Sequence, residues 1–202
     1  MFNVCLNCAE YRADKTVEKR EAHSVAICPL CGHEHAFTPQ PLLIICGASG
    51  VGKTTTELLL PALLADHVVT IEGDIALLGQ AIEPYTEAWL RICKSISRSG
   101  RPVLLCANGL IPPNVEPRVE RRYFSDVHYL AFTCDPTEQA ARLNARPAWR
   151  GTDWQEQIRF NNWIREESRL ELLDTTNISI EESAEKVKAW VLRCLESTEI
   201  VG

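Results

Sequence analysis

Residues 42–56 read Leu-Leu-Ile-Ile-Cys-Gly-Ala-Ser-Gly-Val-Gly-Lys-Thr-Thr-Thr. The apolar run from Leu42 to Cys46 is the length of a buried strand, and it ends in G-x-x-x-x-G-K-T. A helix-forming segment follows at once. Strand, glycine-rich turn and helix in that order aim a row of backbone N–H groups at one anion. Gly47, Ala48, Ser49, Gly50, Val51 and Gly52 form the turn, and Thr55 continues into the helix. Lys53 adds a point charge for the β- and γ-phosphates, and the Thr54 hydroxyl is suited to ligate Mg²⁺. The chain is expected to bind a nucleoside triphosphate.

What precedes this stretch has a different chemistry. Cys5-Leu-Asn-Cys8 and Cys28-Pro-Leu-Cys31-Gly32 are two C-x-x-C knuckles separated by a mostly polar stretch. Each knuckle turns two thiolates toward one point, and Cys5, Cys8, Cys28 and Cys31 together complete a tetrahedral Zn²⁺ site. Residues 1–38 are too few for a self-sufficient core, so the metal is expected to supply their folding energy as a structural zinc ribbon. His23, His33 and His35 are expected to be exposed loop residues, because four cysteines already fill the shell. The sign-alternating run Asp14–Glu21 is expected to be a solvated face. The other five of nine cysteines (Cys46, Cys93, Cys106, Cys134 and Cys194) lie singly in apolar patterns and read as small buried hydrophobes.

Charge and hydropathy narrow the function classes. The net charge of −6 argues against a general nucleic-acid or membrane-surface binder. Residues 1–38 hold Arg12, Lys15, Lys19 and Arg20 against five acidic residues, so the ribbon lacks a basic footprint. A protein partner through the ribbon stays open. The longest apolar runs are strand-length and the first eight residues lack the pattern of a signal peptide, so the expected location is cytoplasmic, with no membrane partner.

After the stiff linker Pro39-Gln40-Pro41, apolar strands alternate with helices, the mark of a parallel α/β sheet. Strands are expected at about 42–46, 68–72, 102–107, 127–133 and 170–174. Helices are expected near 53–65, 84–98, 116–123, 136–145, 153–168 and 180–196, with Pro61 splitting the first. The expected fold is an α/β, P-loop NTPase three-layer sandwich with a five-stranded parallel sheet, residues 42–202, plus the small N-terminal four-cysteine zinc ribbon.

Ligands of such sheets collect at the carboxyl ends of the strands. The second strand runs into Glu72-Gly73-Asp74, expected one strand over from the phosphate loop. Asp74 is suited to accept a proton from a substrate hydroxyl and Glu72 to orient Mg²⁺ through water. The third strand ends at Asn108-Gly109 instead of an aspartate, which weakens the motor-type ATPase class. Asn108 and Gly109 are candidates for the acceptor site, although turn formation explains them equally well. Beyond the fourth strand, Arg142 and Arg146 share a helix face and Arg150 follows in a Pro/Gly-containing break. Guanidiniums delivered by a closing segment near 146–153 stabilise the charge of a migrating phosphoryl group. Trp154, Ile158, Phe160 and Trp163 are expected to pack, whereas Arg159, Asn161 and Asn162 are polar groups that could touch substrate.

This order of parts resembles the small P-loop kinases: the nucleoside-monophosphate, shikimate and gluconate kinase group. It covers residues 42 to about 195, and includes Leu173-Asp174-Thr175-Thr176 with Glu181-Glu182 opening a helix. The resemblance implies that Gly47–Thr54 bind ATP–Mg²⁺, that Asp74 is the base or acceptor-binding carboxylate, and that Arg146 and Arg150 are lid arginines. The 170s loop would border adenine. The ribbon sits before the kinase core, unlike the zinc of some adenylate kinases, and the acceptor region matches no one substrate. The expected activity is transfer of the γ-phosphate of ATP to a small-molecule phosphoryl acceptor. The alternatives are a P-loop ATPase or regulatory NTP-binding protein, or a nucleic-acid-end kinase with the ribbon gripping a partner or strand. No N-K-x-D motif is present to mark a GTPase.

Overall fold

A computed structural model of the chain describes residues 3–21, 23–73, 82–146 and 153–199. The N-terminal part forms a three-stranded antiparallel sheet: β1 (Thr16–Lys19), β2 (Ser24–Ile27) and β3 (Glu34–Phe37), in that spatial order. The two knuckles flank it, one ahead of β1 and one in the turn between β2 and β3.

The larger part is a second sheet with helices on both faces. Its elements run β4 (Leu42–Gly47), α1 (Lys53–Glu57), α2 (Leu60–Leu64), β5 (Val69–Glu72) and α3 (Ile82–Ser97). They continue through β6 (Val103–Cys106), α4 (Pro112–Val115), a 3₁₀ turn (Val119–Tyr123) and β7 (Val127–Thr133). The chain closes with α5 (Pro136–Asn144), α6 (Trp154–Glu166), β8 (Glu171–Asp174) and α7 (Ile180–Glu199). The five strands pair in parallel in the order β5-β6-β4-β7-β8. This is the expected fold class.

Strand β4 explains why the sheet needs covering on both sides. Every residue from Leu42 to Cys46 is at most 1% exposed. Successive side chains of a strand point to opposite faces. Leu43 and Ile45 accordingly pack with Leu60, Leu64, Val187 and Trp190, under α2 and α7. Leu42, Ile44 and Cys46 pack with Tyr85, Leu90, Cys93 and Ile164, under α3 and α6. Each fully buried Leu or Ile contributes about 1.5–3 kcal/mol, so this one strand anchors both layers.

The helix over 53–65 is split as expected, with Pro61 in the first turn of α2, where its missing N–H breaks no hydrogen bond. Two other sequence-based expectations change. The helix expected over 116–123 is instead α4 followed by a 3₁₀ turn, because Pro112 and Pro113 start a helix early. Pro117 then lacks the N–H needed to continue it. In addition, β6 lies between β5 and β4, so Glu72 stands two strands from the phosphate loop and not one.

Candidate functional site

Strand register sets the site. Gly47 pairs with Phe132, Glu72 with Cys106 and Asp174 with Thr133, which levels the carboxyl ends along one edge. A cavity of about 700 Å³ opens there. Ala48, Ser49, Gly50, Gly52, Lys53 and Thr54 form its floor, with Thr55 beside them. Glu72 lies on the lining, as do Arg142 and Arg146. Thr175, Ile178, Ser179, Ile180 and Ser183 supply the remaining wall.

The loop shape depends on its glycines. Gly47 has φ +144 and a Cβ there would lie 2.6 Å from the Phe132 carbonyl oxygen, which is backbone and cannot retreat. Gly50 has φ +91, and a Cβ there would meet Leu143 at 3.0 Å. Lys53 Nζ donates to the carbonyls of Gly47 (2.6 Å) and Ala48 (2.9 Å), so its charge is held over the loop. Thr55 and Thr56 turn their hydroxyls to the Gly52 carbonyl. Thr54 is exposed, and its hydroxyl makes no hydrogen bond among the described residues.

The far wall is tied to the loop. Arg142 donates to Thr175 Oγ1 and to the Thr175 carbonyl, both at 3.1 Å, and pairs with Glu138. Thr175 Oγ1 in turn donates to the carbonyls of Val51 (2.8 Å) and Thr133 (3.0 Å). In the sequence, Thr175, Ile178 and Ser179 are legible only as a loop that could pass a base, and Ile180 and Ser183 only as the start of the helix expected over 180–196. Their signal is position after the last strand and nothing more specific.

Other candidates fall elsewhere. Asp74 and Arg150 lie outside the described residues, as does most of the segment 146–153. Asn108 and Gly109 stand at the end of β6 and do not line the cavity. Asn114 Nδ2 donates to the Gly109 carbonyl at 2.7 Å, and Gly109 abuts Ile82 at the start of α3. Asn161, a candidate for substrate contact, is wholly buried and donates to the Cys134 carbonyl and to Gln139. Trp154, expected to pack, is 47% exposed. Among the single cysteines, burial pushes the thiols of Cys46 and Cys93 up to about 12 and those of Cys134 and Cys194 up to about 11. They are inert fillers.

The four knuckle cysteines converge, their sulfurs all within 4.8 Å of one another. A tetrahedral Zn²⁺ with bonds of about 2.3 Å holds its sulfurs about 3.8 Å apart. Cys5 and Cys31 Sγ are 3.6 Å apart and Cys8 and Cys28 Sγ 3.9 Å apart, close to that spacing, so the donor set fits zinc. The Asn7 side chain and the His33 backbone N–H hold Cys31 down to about 6. Cys8 accepts a backbone hydrogen bond from Glu10 that favours its thiolate, yet burial and the neighbouring thiols push it up to about 12. Four thiols crowded onto one point are a donor set for a soft cation.

Two ribbon residues depart from expectation. Lys15 is fully buried, not part of a solvated face. Burial lowers its pKa, opposed by Cys5 and Cys28, whose thiolates favour its charge. His35 is 8% exposed within β3, and burial lowers its pKa also.

No family profile matches the chain, and no curated protein matches it in sequence. Solved structures do. A sugar kinase from Janibacter sp. HTCC2649 superimposes with a TM-score of 0.57 at 15% identity, covering 76% of this chain and 95% of the kinase. A gluconokinase from Sinorhizobium meliloti 1021 gives 0.55 at 16% identity, with 80% and 97% covered. A shikimate kinase from Acinetobacter baumannii, in complex with shikimate, gives 0.50 at 18% identity, with 76% and 94% covered. The chain is therefore built on the fold of the small P-loop kinases, with a four-cysteine cluster that fits a zinc ribbon added before it. Among the described residues no helix is long and apolar enough to cross a membrane.

Proposed function

We propose that this protein is an ATP-dependent phosphotransferase that moves the γ-phosphate to a hydroxyl or phosphate of a small acceptor. The observation that carries the reading is the cavity of about 700 Å³ with Lys53 and Thr54 on its floor, Glu72 on its lining and Arg142 and Arg146 on its wall. Backbone N–H groups of Gly50 to Thr54 and the Lys53 ammonium hold the β- and γ-phosphates. Thr54 and Glu72 would hold Mg²⁺, which when bound would neutralise charge on the triphosphate. Arg146 and Arg150 stabilise the equatorial oxygens as the phosphoryl group migrates. Asp74 accepts the proton of the acceptor hydroxyl. Arg142 and the Thr175–Ser183 wall bound the nucleoside end. Similarity of fold to sugar, gluconate and shikimate kinases supports the reaction class; 15–18% identity leaves the acceptor to experiment.

ATP consumption measured with and without a panel of nucleosides, nucleotides, sugars and sugar acids tests this. Turnover dependent on one acceptor class is expected. Asp74→Asn is expected to collapse kcat while sparing ATP binding. Acceptor-independent hydrolysis that survives Asp74→Asn overturns the kinase reading in favour of an ATPase.

A further inference from the structure

Both backbone polar groups of Ser49 are taken by side chains from distant parts of the chain. Its N–H donates to Gln157 Oε1 on α6 at 2.7 Å, and its carbonyl accepts from Gln139 Nε2 on α5 at 2.8 Å. The two glutamines are themselves joined, since Gln139 Nε2 also reaches the Gln157 carbonyl at 3.2 Å. Gln139 Oε1 accepts from Asn161 Nδ2 at 3.0 Å, and Asn161 Nδ2 donates to the Cys134 carbonyl at 2.8 Å. Gln139 and Asn161 are wholly buried, so neither can exchange these bonds for water without moving a helix.

A loop with left-handed glycines has many conformations of similar energy, and only one presents its N–H groups to a single anion. Something outside the loop must select it. Lys53 grips Gly47 and Ala48 from within, and the next residue along, Ser49, is where the outside grip falls. Gly50 then rests against Leu143 and Gln139.

We propose that Gln157 is a positioning residue for the triphosphate. Its side-chain carbonyl, with the Gln139 amide on the other side of the same residue, fixes the Ser49 backbone so that the N–H groups from Gly50 onward stay turned to the cavity. The side-chain type matters. An amide oxygen accepts the Ser49 N–H without bringing charge; a carboxylate would accept the same bond but place a negative charge beside the phosphates. This rests on the nucleotide-binding part of the proposed function and is independent of the acceptor.

The test uses the whole protein and two readouts: hydrogen exchange at the Ser49 amide without nucleotide, and ATP affinity by calorimetry. Gln157→Ala is expected to speed Ser49 exchange about tenfold and weaken ATP about five- to tenfold, the range of one lost hydrogen bond. Gln157→Glu is expected to keep Ser49 protected yet bind ATP about tenfold more weakly, a split that general loosening of the fold would not produce. Unchanged Ser49 exchange in Gln157→Ala overturns the clamp, and so does ATP affinity within about twofold of the parent. If the parent protein protects Ser49 but binds no ATP, the nucleotide reading fails and the positioning role falls with it. If the parent binds ATP and only the variants behave otherwise than expected, the positioning role alone falls.

Discussion

Lys94 Nζ lies 2.5 Å from Glu120 Oε2, with Lys94 only 6% and Glu120 only 1% exposed, where the ribbon meets the kinase-like core. Lys94 belongs to α3 and Glu120 to the 3₁₀ turn. Asn3, from the ribbon end, accepts from the same ammonium at 3.0 Å. Arg91 approaches the other Glu120 oxygen at 3.4 Å, and the Lys94 ammonium sits 4.4 Å from the centre of the Tyr123 ring. Phe37 of β3 meets that ring from the ribbon side. The ribbon is therefore joined to α3, the helix that leads out of the segment carrying Asp74.

Removing one member of so buried a pair leaves the other charge without its partner. Lys94→Met is expected to destabilise the protein by about 3 kcal/mol, read from the denaturant midpoint at constant m-value. Lys94→Met combined with Glu120→Leu is expected to recover most of that loss, because neither charge then remains buried. A double variant as unstable as the single one would mean that packing against Tyr123 dominates and not the ion pair.

The same junction makes metal content a property of the whole molecule. One Zn²⁺ per chain is expected by elemental analysis, and Cys28→Ser is expected to lose it. Because Asn3 links the ribbon end to Lys94 and Phe37 packs on Tyr123, chelation is expected to lower the melting temperature of the core as well as the ribbon. A core transition that does not move on chelation would show that the ribbon unfolds by itself.

Much of this architecture is legible in the sequence alone. The run Leu42–Cys46 followed by G-x-x-x-x-G-K-T fixes strand, loop and helix because chemistry and periodicity agree there. The two C-x-x-C pairs locate their own partner, since four thiolates at that spacing have few other uses. What sequence does not supply is what depends on contacts between distant segments. Lys15 and His35 look solvated in a polar stretch until the ribbon is laid on α3. Strand order is not written in any local pattern, so β6 intervening between β5 and β4 is hidden. Gln139 and Gln157 are ordinary helix residues by composition; that they meet at Ser49, with Asn161 behind Gln139, shows only in the fold.

Lys53 and Thr54 can be separated by their effects. Lys53→Ala is expected to reduce turnover about a hundredfold or more, the scale for losing one charge-stabilising donor in a transition state. Its two bonds to Gly47 and Ala48 carbonyls are partly exposed, so the melting temperature should hardly change. Thr54→Val is expected to weaken nucleotide binding only when Mg²⁺ is present. Equal weakening with and without Mg²⁺ would move Thr54 from the ion to the phosphates. Calorimetry in magnesium and in chelator decides between them.

The acid limb of stability has a named contributor. Glu167, at the end of α6, is held down to about 2 by Arg169, whose Nε and Nη2 donate to its two oxygens at 2.8 and 2.9 Å. The Arg169 backbone N–H adds a third bond at 3.1 Å. Asp135, which caps α5, is lowered by the backbone N–H groups of Glu138 and Thr137. A carboxyl whose folded pKa is depressed stabilises the fold at pH values above its unfolded pKa, about 4, and loses that contribution as pH falls through the folded value. The contribution of these two carboxyls is therefore expected to be level from about pH 7 to about 5 and to decline from about 4.5 toward about 2. Glu167→Gln is expected to be less stable than the parent at neutral pH, with the gap closing as pH approaches about 2. Zinc loss in acid affects both proteins alike and cancels in the difference. A gap that stays constant across that window would show that the Arg169 contact contributes through geometry and not through the ionisation of Glu167.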